Sequence, residues 1–152
     1  MREELSNSLK LAMKARDAQR ISTIRLINAT IKDRDIAVRS EDNVKGVSDE
    51  EILSILAKMI KQRQESAKQY EEAGRIELAE QELTEIGIIE DFLPKQMTQS
   101  EMIDVVDKTI EEMKAVSIRD MGKVMGVLKE KHAGKMDFSQ AGARAKEILS
   151  RN

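Results

Sequence analysis

Apolar residues recur every third or fourth position along almost the whole of this chain, and a single proline, Pro94, interrupts them. That spacing follows the roughly 3.6-residue turn of an α-helix, so each apolar set lies as a stripe along one helix. Leu5, Leu9, Ala12 and Met13 make the first stripe, and Ile21, Ile24, Ile27 (or Asn28 beside it), Ile31 and Val38 the second. Residues 41–46, EDNVKG, are polar with a glycine and read as a loop. The third stripe is Ile52, Ile55, Leu56, Met59, Ile60, Ala67 and Tyr70, closed by Gly74, which can take the left-handed conformation that ends a helix. A fourth helix is expected from about Arg75 through Leu83, Ile86 and Ile89 to Phe92 and Leu93. Pro94 stops it, because proline disfavours helical geometry in the residue before it.

Helix-start signals are frequent. Ser48-x-x-Glu51, Thr98-x-x-Glu101, Ser117-x-x-Asp120 and Asp137-x-x-Gln140 each resemble a capping box, in which two side chains satisfy backbone donors left free at a helix start. Three short helices are expected after Pro94. They carry Met102, Val105, Val106, Ile110 and Met113, then Met121, Val124, Met125 and Leu128, then Ala141, Ala145, Ile148 and Leu149. With aromatic residues at only 2%, sheet is disfavoured. The expected fold is all-α: a four-helix amino-terminal domain over 1–94 and a small three-helix domain over 95–152, divided at LPKQMT, residues 93–98.

The chain has no cysteine and one histidine, His132. Thiolate metal sites and disulfides are therefore excluded, and no histidine pair exists to hold a metal. No nucleophile elbow, Walker A loop or dinucleotide fingerprint is present. Catalytic residues, metal ligands and cofactors are accordingly expected to be none. The opening MREELSNSLKLAMKARDAQR scatters charges through any apolar run, unlike a secretion signal, and no stretch approaches the roughly 20 apolar residues that span a bilayer. A cytoplasmic protein with no membrane partner is expected.

The net charge of −2 conceals a strong asymmetry. Residues 1–39 carry +4, residues 40–110 carry −9 and residues 111–152 carry +3. Basic ends around an acidic middle suit a polyanion partner for the ends. Arg119, Lys123, Lys129, Lys131 and Lys135 surround the helix of DMGKVMGVLKEK, and a secondary basic cluster, Arg16, Arg20, Arg25, Lys32 and Arg34, surrounds the second helix. Neither has interleaved aromatics, so shape and backbone recognition of structured RNA fits better than base stacking.

Gly122 and Gly126 sit inside that helix, where each glycine costs about 1 kcal/mol relative to alanine. Four residues apart, they share a face. Two explanations compete. One is close packing against the small residues Ala141, Gly142, Ala143 and Ala145; the other is a bare backbone that a phosphate or sugar can approach while lysines neutralise its charge. Packing is the weightier expectation.

Four stretches together resemble the YqeY proteins of the GatB/YqeY family: ISTIRLINATIKDRDI (21–36), KQRQESAKQYEEAGRIELAEQELTEI (61–86), IEDFLPKQMTQSEM (89–102) and DMGKVMGVLKEKHAGK (120–135). The resemblance implies a helical amino-terminal domain followed by one similar to the tail of the B subunit of tRNA-dependent glutamine amidotransferase, which helps to engage tRNA. It places Gly122, Lys123, Val124, Met125, Gly134 and Lys135 on the tail's matching positions. Met136 departs from that pattern, where a small residue is common, and so does the small-residue run AGARA, residues 141–145. The resemblance further implies tRNA or other structured RNA, and a protein of the translation machinery, as partners. It also implies an alternative, carbon–nitrogen ligase activity with glutamine as amido-N-donor. A third expectation is a protein-interaction scaffold whose acidic middle helices dock a basic partner.

Overall fold

Most of the helices start or stop where a short polar side chain, or a residue in the left-handed region, lets the backbone turn. The computed structural model describes residues 1–151; Asn152, the last residue of the expected second domain, lies outside them. The chain is all-helical, as expected, and it divides into two compact units, Met1–Pro94 and a second that begins at Lys95.

In the first unit α1 (Arg2–Ala15) ends at Arg16, whose φ of 56° reverses the chain, and the Asp17 carboxylate then accepts from the Arg20 amide at 3.1 Å to start α2 (Ala18–Ala37). An antiparallel bridge between Ser40 and Asn43 folds the following loop. The Ser48 hydroxyl accepts from the Glu51 amide at 3.3 Å and starts α3 (Asp49–Glu72). Gly74, at φ 74°, turns the chain into α4 (Ile76–Glu90). The core gathers Leu5, Ile24, Ile27, Ile31, Ile52, Leu56 and Ile89. Burying each such side chain contributes about 1.5–3 kcal/mol relative to leaving it in water.

Three expectations fail in this unit. Met13 and Leu83 are each 50% exposed, because their neighbours at helical spacing already complete the buried stripe and leave them on its edge. The fourth helix ends at Glu90, short of Leu93: the Phe92 and Leu93 amides donate to Ile89 and Glu90 three residues back, tightening the last turn out of α geometry before proline is reached. Phe92 is still buried.

In the second unit Thr98 and Glu101 form the complete capping box, with reciprocal bonds of 2.9 and 3.2 Å, and open α5 (Gln99–Glu112). A 3-10 turn (Ile118–Asp120) leads into α6 (Met121–Lys131). The Asp137 carboxylate, accepting from the Ser139 amide at 2.9 Å, opens α7 (Phe138–Leu149). Val106, Val124, Leu128, Ala141, Ala145 and Leu149 make the core, and Arg144 of α7 grips Asp107 of α5 through two bonds of 3.0 and 2.9 Å. Met136 is buried here, in the same core as the small Ala141 and Ala145.

Candidate nucleic-acid interface

The surface of α6 follows from which of its residues the core takes. Val124 and Leu128 are fully buried, and Met121 and Met125 pack against the same core. Successive residues turn by about 100° around a helix, so Gly122, Gly126 and Lys129 fall on one flank, Lys123 and Glu130 on the crown, and Lys131 on the opposite flank.

Both glycines are exposed, and beyond its own stretch of helix a Cβ built on either would meet no atom of the described residues within 4 Å. The packing explanation is thereby overturned. The close approach between α6 and α7 occurs instead at Gly142, whose built Cβ would lie 3.7 and 3.8 Å from the terminal methyls of Met125 and Met121. The small residue belongs to α7 and the filling side chains to α6, the reverse of the expected arrangement. Ala143 is exposed and takes no part.

Arg119, Lys123, Lys129 and Lys131 are exposed and Lys135 is half-buried. None of the five forms an ion pair among the described residues, where Arg144 and Arg151 of the same unit each pair with Glu147. Arg119 sits in the 3-10 turn, which the Asp120 carboxylate holds by accepting from the Val116 amide at 3.0 Å and the Ser117 amide at 3.4 Å. Those two amides, with a smaller contribution from Lys123, hold the Asp120 carboxyl below its ordinary pKa. Val116 and Ile118, 65% and 49% exposed, flank this turn as apolar surface that sequence reasoning did not identify; the Ser-x-x-Asp spacing marked the turn but not what it displays.

At the far end of α6 the sequence HAGK forms a turn. Gly134 is buried at φ 72°, its carbonyl accepts from the Gln96 side chain, and the Lys135 carbonyl accepts from the Met97 amide at 2.8 Å. Gly134 therefore shapes the turn and offers no contact surface of its own. Burial, then Lys135, then Lys131 push the His132 pKa below its ordinary value, so the imidazole is neutral at pH 7 and the lysines alone carry the charge there.

The secondary basic residues are differently placed. Arg20 donates to Asp91 at 2.8 Å and lies 5.8 Å from the centre of the Phe92 ring, so it ties α2 to the end of α4. Arg16 is the left-handed residue closing α1, and Arg25, Lys32 and Arg34 are exposed on α2. No group of three or more metal-ligating side chains exists among the described residues, and no helix there is long and apolar enough to cross a membrane.

Residues 2–149 match the model of the family described as Yqey-like protein. Curated relatives named altered inheritance of mitochondria protein 41, mitochondrial, come from several yeasts. The Kluyveromyces lactis protein is 37% identical over 58% of this chain and 45% of its own length. The Meyerozyma guilliermondii protein is 31% identical over 83% of this chain and 65% of its own length. The Candida glabrata protein is 33% identical over 72% and 58%. The chain thus spans about half to two thirds of the length of these relatives.

Proposed function

The chain belongs to the Yqey-like protein family, and from that premise we propose that it is a non-catalytic accessory module that binds structured RNA, tRNA foremost, through its second unit. One observation carries this reading: the flank of α6 that bears Gly122 and Gly126 is bare, and it adjoins exposed cations that form no ion pair among the described residues. A bare helix flank lets a sugar–phosphate backbone come close, and free lysines release counterions from it. Arg119 and Lys123 serve one end of the flank, and Lys129 continues it. Lys131 and Lys135 extend the positive surface around the HAGK turn.

Filter binding of the whole protein to tRNA tests the proposal. Affinity should fall steeply as salt rises. Exchanging Lys123 and Lys135 together for glutamate should weaken binding to different RNAs alike, since phosphates carry no sequence. Absence of binding at low salt, or a double variant that binds as the parent does, overturns it. The ligase alternative rests on family resemblance alone, and turnover of mischarged tRNA with glutamine and ATP is its test.

A further inference from the structure

The apolar stripe of α2 faces the core, and a second, mostly polar flank of the same helix is only partly covered by α3 and α4. Gln19, Ser22, Leu26, Thr30, Asp33 and Ala37 recur at three- and four-residue spacing and so share one flank. That flank lines two cavities in turn. At the start of the helix, Gln19 and Ser22 face α4 across a cavity of about 480 Å³. At its end, Thr30, Asp33 and Ala37 face α3 across one of about 360 Å³. Leu26 lies between the two and is 45% exposed, a large apolar side chain left in water. From Gln19 to Ala37 the stripe runs about 27 Å, the length of five helical turns.

The two ends differ chemically. The cavity against α4 takes three carboxylates, Glu77, Glu80 and Glu85, and no lysine or arginine. Glu85 is held by Arg63 at 3.1 Å, whereas Glu77 and Glu80 form no ion pair among the described residues. The cavity against α3 pairs the apolar Ile55 and Met59 with Asp33, Arg34 and Lys58, so the negative charge of the groove is concentrated at its α4 end. Small side chains at Ser22, Thr30 and Ala37 leave room for another element's side chains to enter.

We propose that this flank of α2, with its walls on α3 and α4, is a docking groove for a basic amphipathic helix of a protein partner. The partner's apolar face covers Leu26 and the Ile55–Met59 floor, and its lysines or arginines meet Glu77 and Glu80. Charge complementarity selects this occupant. At the α4 end Glu77 and Glu80 repel RNA and suit a basic side chain, and a helix of length matching the groove buries Leu26 along one face. The site is separate from α6 and does not depend on the RNA reading.

The probe is a synthetic amphipathic helix of about 18 residues, the number that spans the groove. It carries leucines along one face and lysines in one half; a second peptide has glutamate at every lysine. Anisotropy titrations with the whole protein should show the lysine peptide binding and the glutamate peptide at least roughly tenfold weaker. Leu26→Asp, an exposed change, and Glu77→Lys with Glu80→Lys should each weaken the lysine peptide by roughly tenfold. Circular dichroism confirms that the variants fold. No binding, equal affinity for both peptides, or indifference to both variants overturns the proposal. So does displacement of the peptide by RNA, or a dimer in sedimentation that Leu26→Asp dissolves, which would assign the groove to RNA or to a second copy.

Discussion

The Arg2 guanidinium clasps the Asp35 carboxylate through two parallel hydrogen bonds of 2.9 and 2.8 Å, joining the first turn of α1 to the last turns of α2. The same carboxylate accepts from the Val47 amide at 2.8 Å, and Arg2 also donates to the Val47 carbonyl at 3.1 Å. Two charged side chains thereby fix three segments: α1, α2 and the strap that leads into α3. The Arg2 guanidinium first, then the Val47 amide, hold the Asp35 carboxyl down from an ordinary 3.8 to about 2.

Acid should therefore loosen the first unit in a defined window. A depressed carboxyl stabilises the fold fully above its ordinary pKa and loses that contribution as pH falls from about 4 toward about 2. Urea titrations across that range should show a steeper fall in stability for the parent than for Asp35→Asn, which has nothing left to protonate. Parallel curves for the two would remove Asp35 from the account of acid unfolding.

Gly46 should resist replacement. Its φ is 82°, and a built Cβ would lie 2.7 Å from Asp35 Cγ and 3.2 Å from Arg2 Nη2. Gly46→Ala therefore adds backbone strain and pushes the clasp apart, lowering stability by about 1–3 kcal/mol. Chemical denaturation measures it, and an unchanged midpoint would contradict the geometry.

The α6 glycines should behave in the opposite way. With open space around both, Gly122→Ala and Gly126→Ala should each stabilise the second unit by about 0.5–1 kcal/mol through helix propensity. The same changes should weaken tRNA binding if the bare flank is the contact. Stability that rises while affinity stays constant would leave the glycines without a role in binding.

His132 offers a local reporter. Its pKa lies below the ordinary histidine value because burial and the nearby Lys135 and Lys131 disfavour the imidazolium. Bound phosphate offsets those lysines, so the imidazole pKa should rise when RNA is added. An NMR titration of the single imidazole, with and without tRNA, reads this directly. An unmoved value would place the phosphates away from the HAGK turn.

What the chain revealed before its structure was mostly local. The Thr98–Glu101 box, the Ser48 cap and the Gly74 stop all act within a few residues, and spacing alone identifies them. The Arg2–Asp35–Val47 clasp joins residues far apart in the chain, and no spacing announces it. Met13 and Leu83 fit their stripes but lost the competition for core space to better-placed neighbours. The contested glycines show the same limit, since periodicity gives the shared face but not what lies opposite. Only the fold assigns the contact with Met121 and Met125 to Gly142. The lysines of α6 could be named from sequence, but their distribution over two flanks and a crown needed the buried face as reference.

Six of the nine methionines, among them the buried Met102 and Met136, build the hydrophobic interior of the second unit. Thioethers suit an interior assembled from small alanines because they bend into irregular gaps. Each is also a site where peroxide adds an oxygen and turns an apolar filler into a polar one. Mild oxidant should thus soften the second unit well before the isoleucine- and leucine-rich first unit yields, which makes redox history a variable to control whenever this protein is assayed.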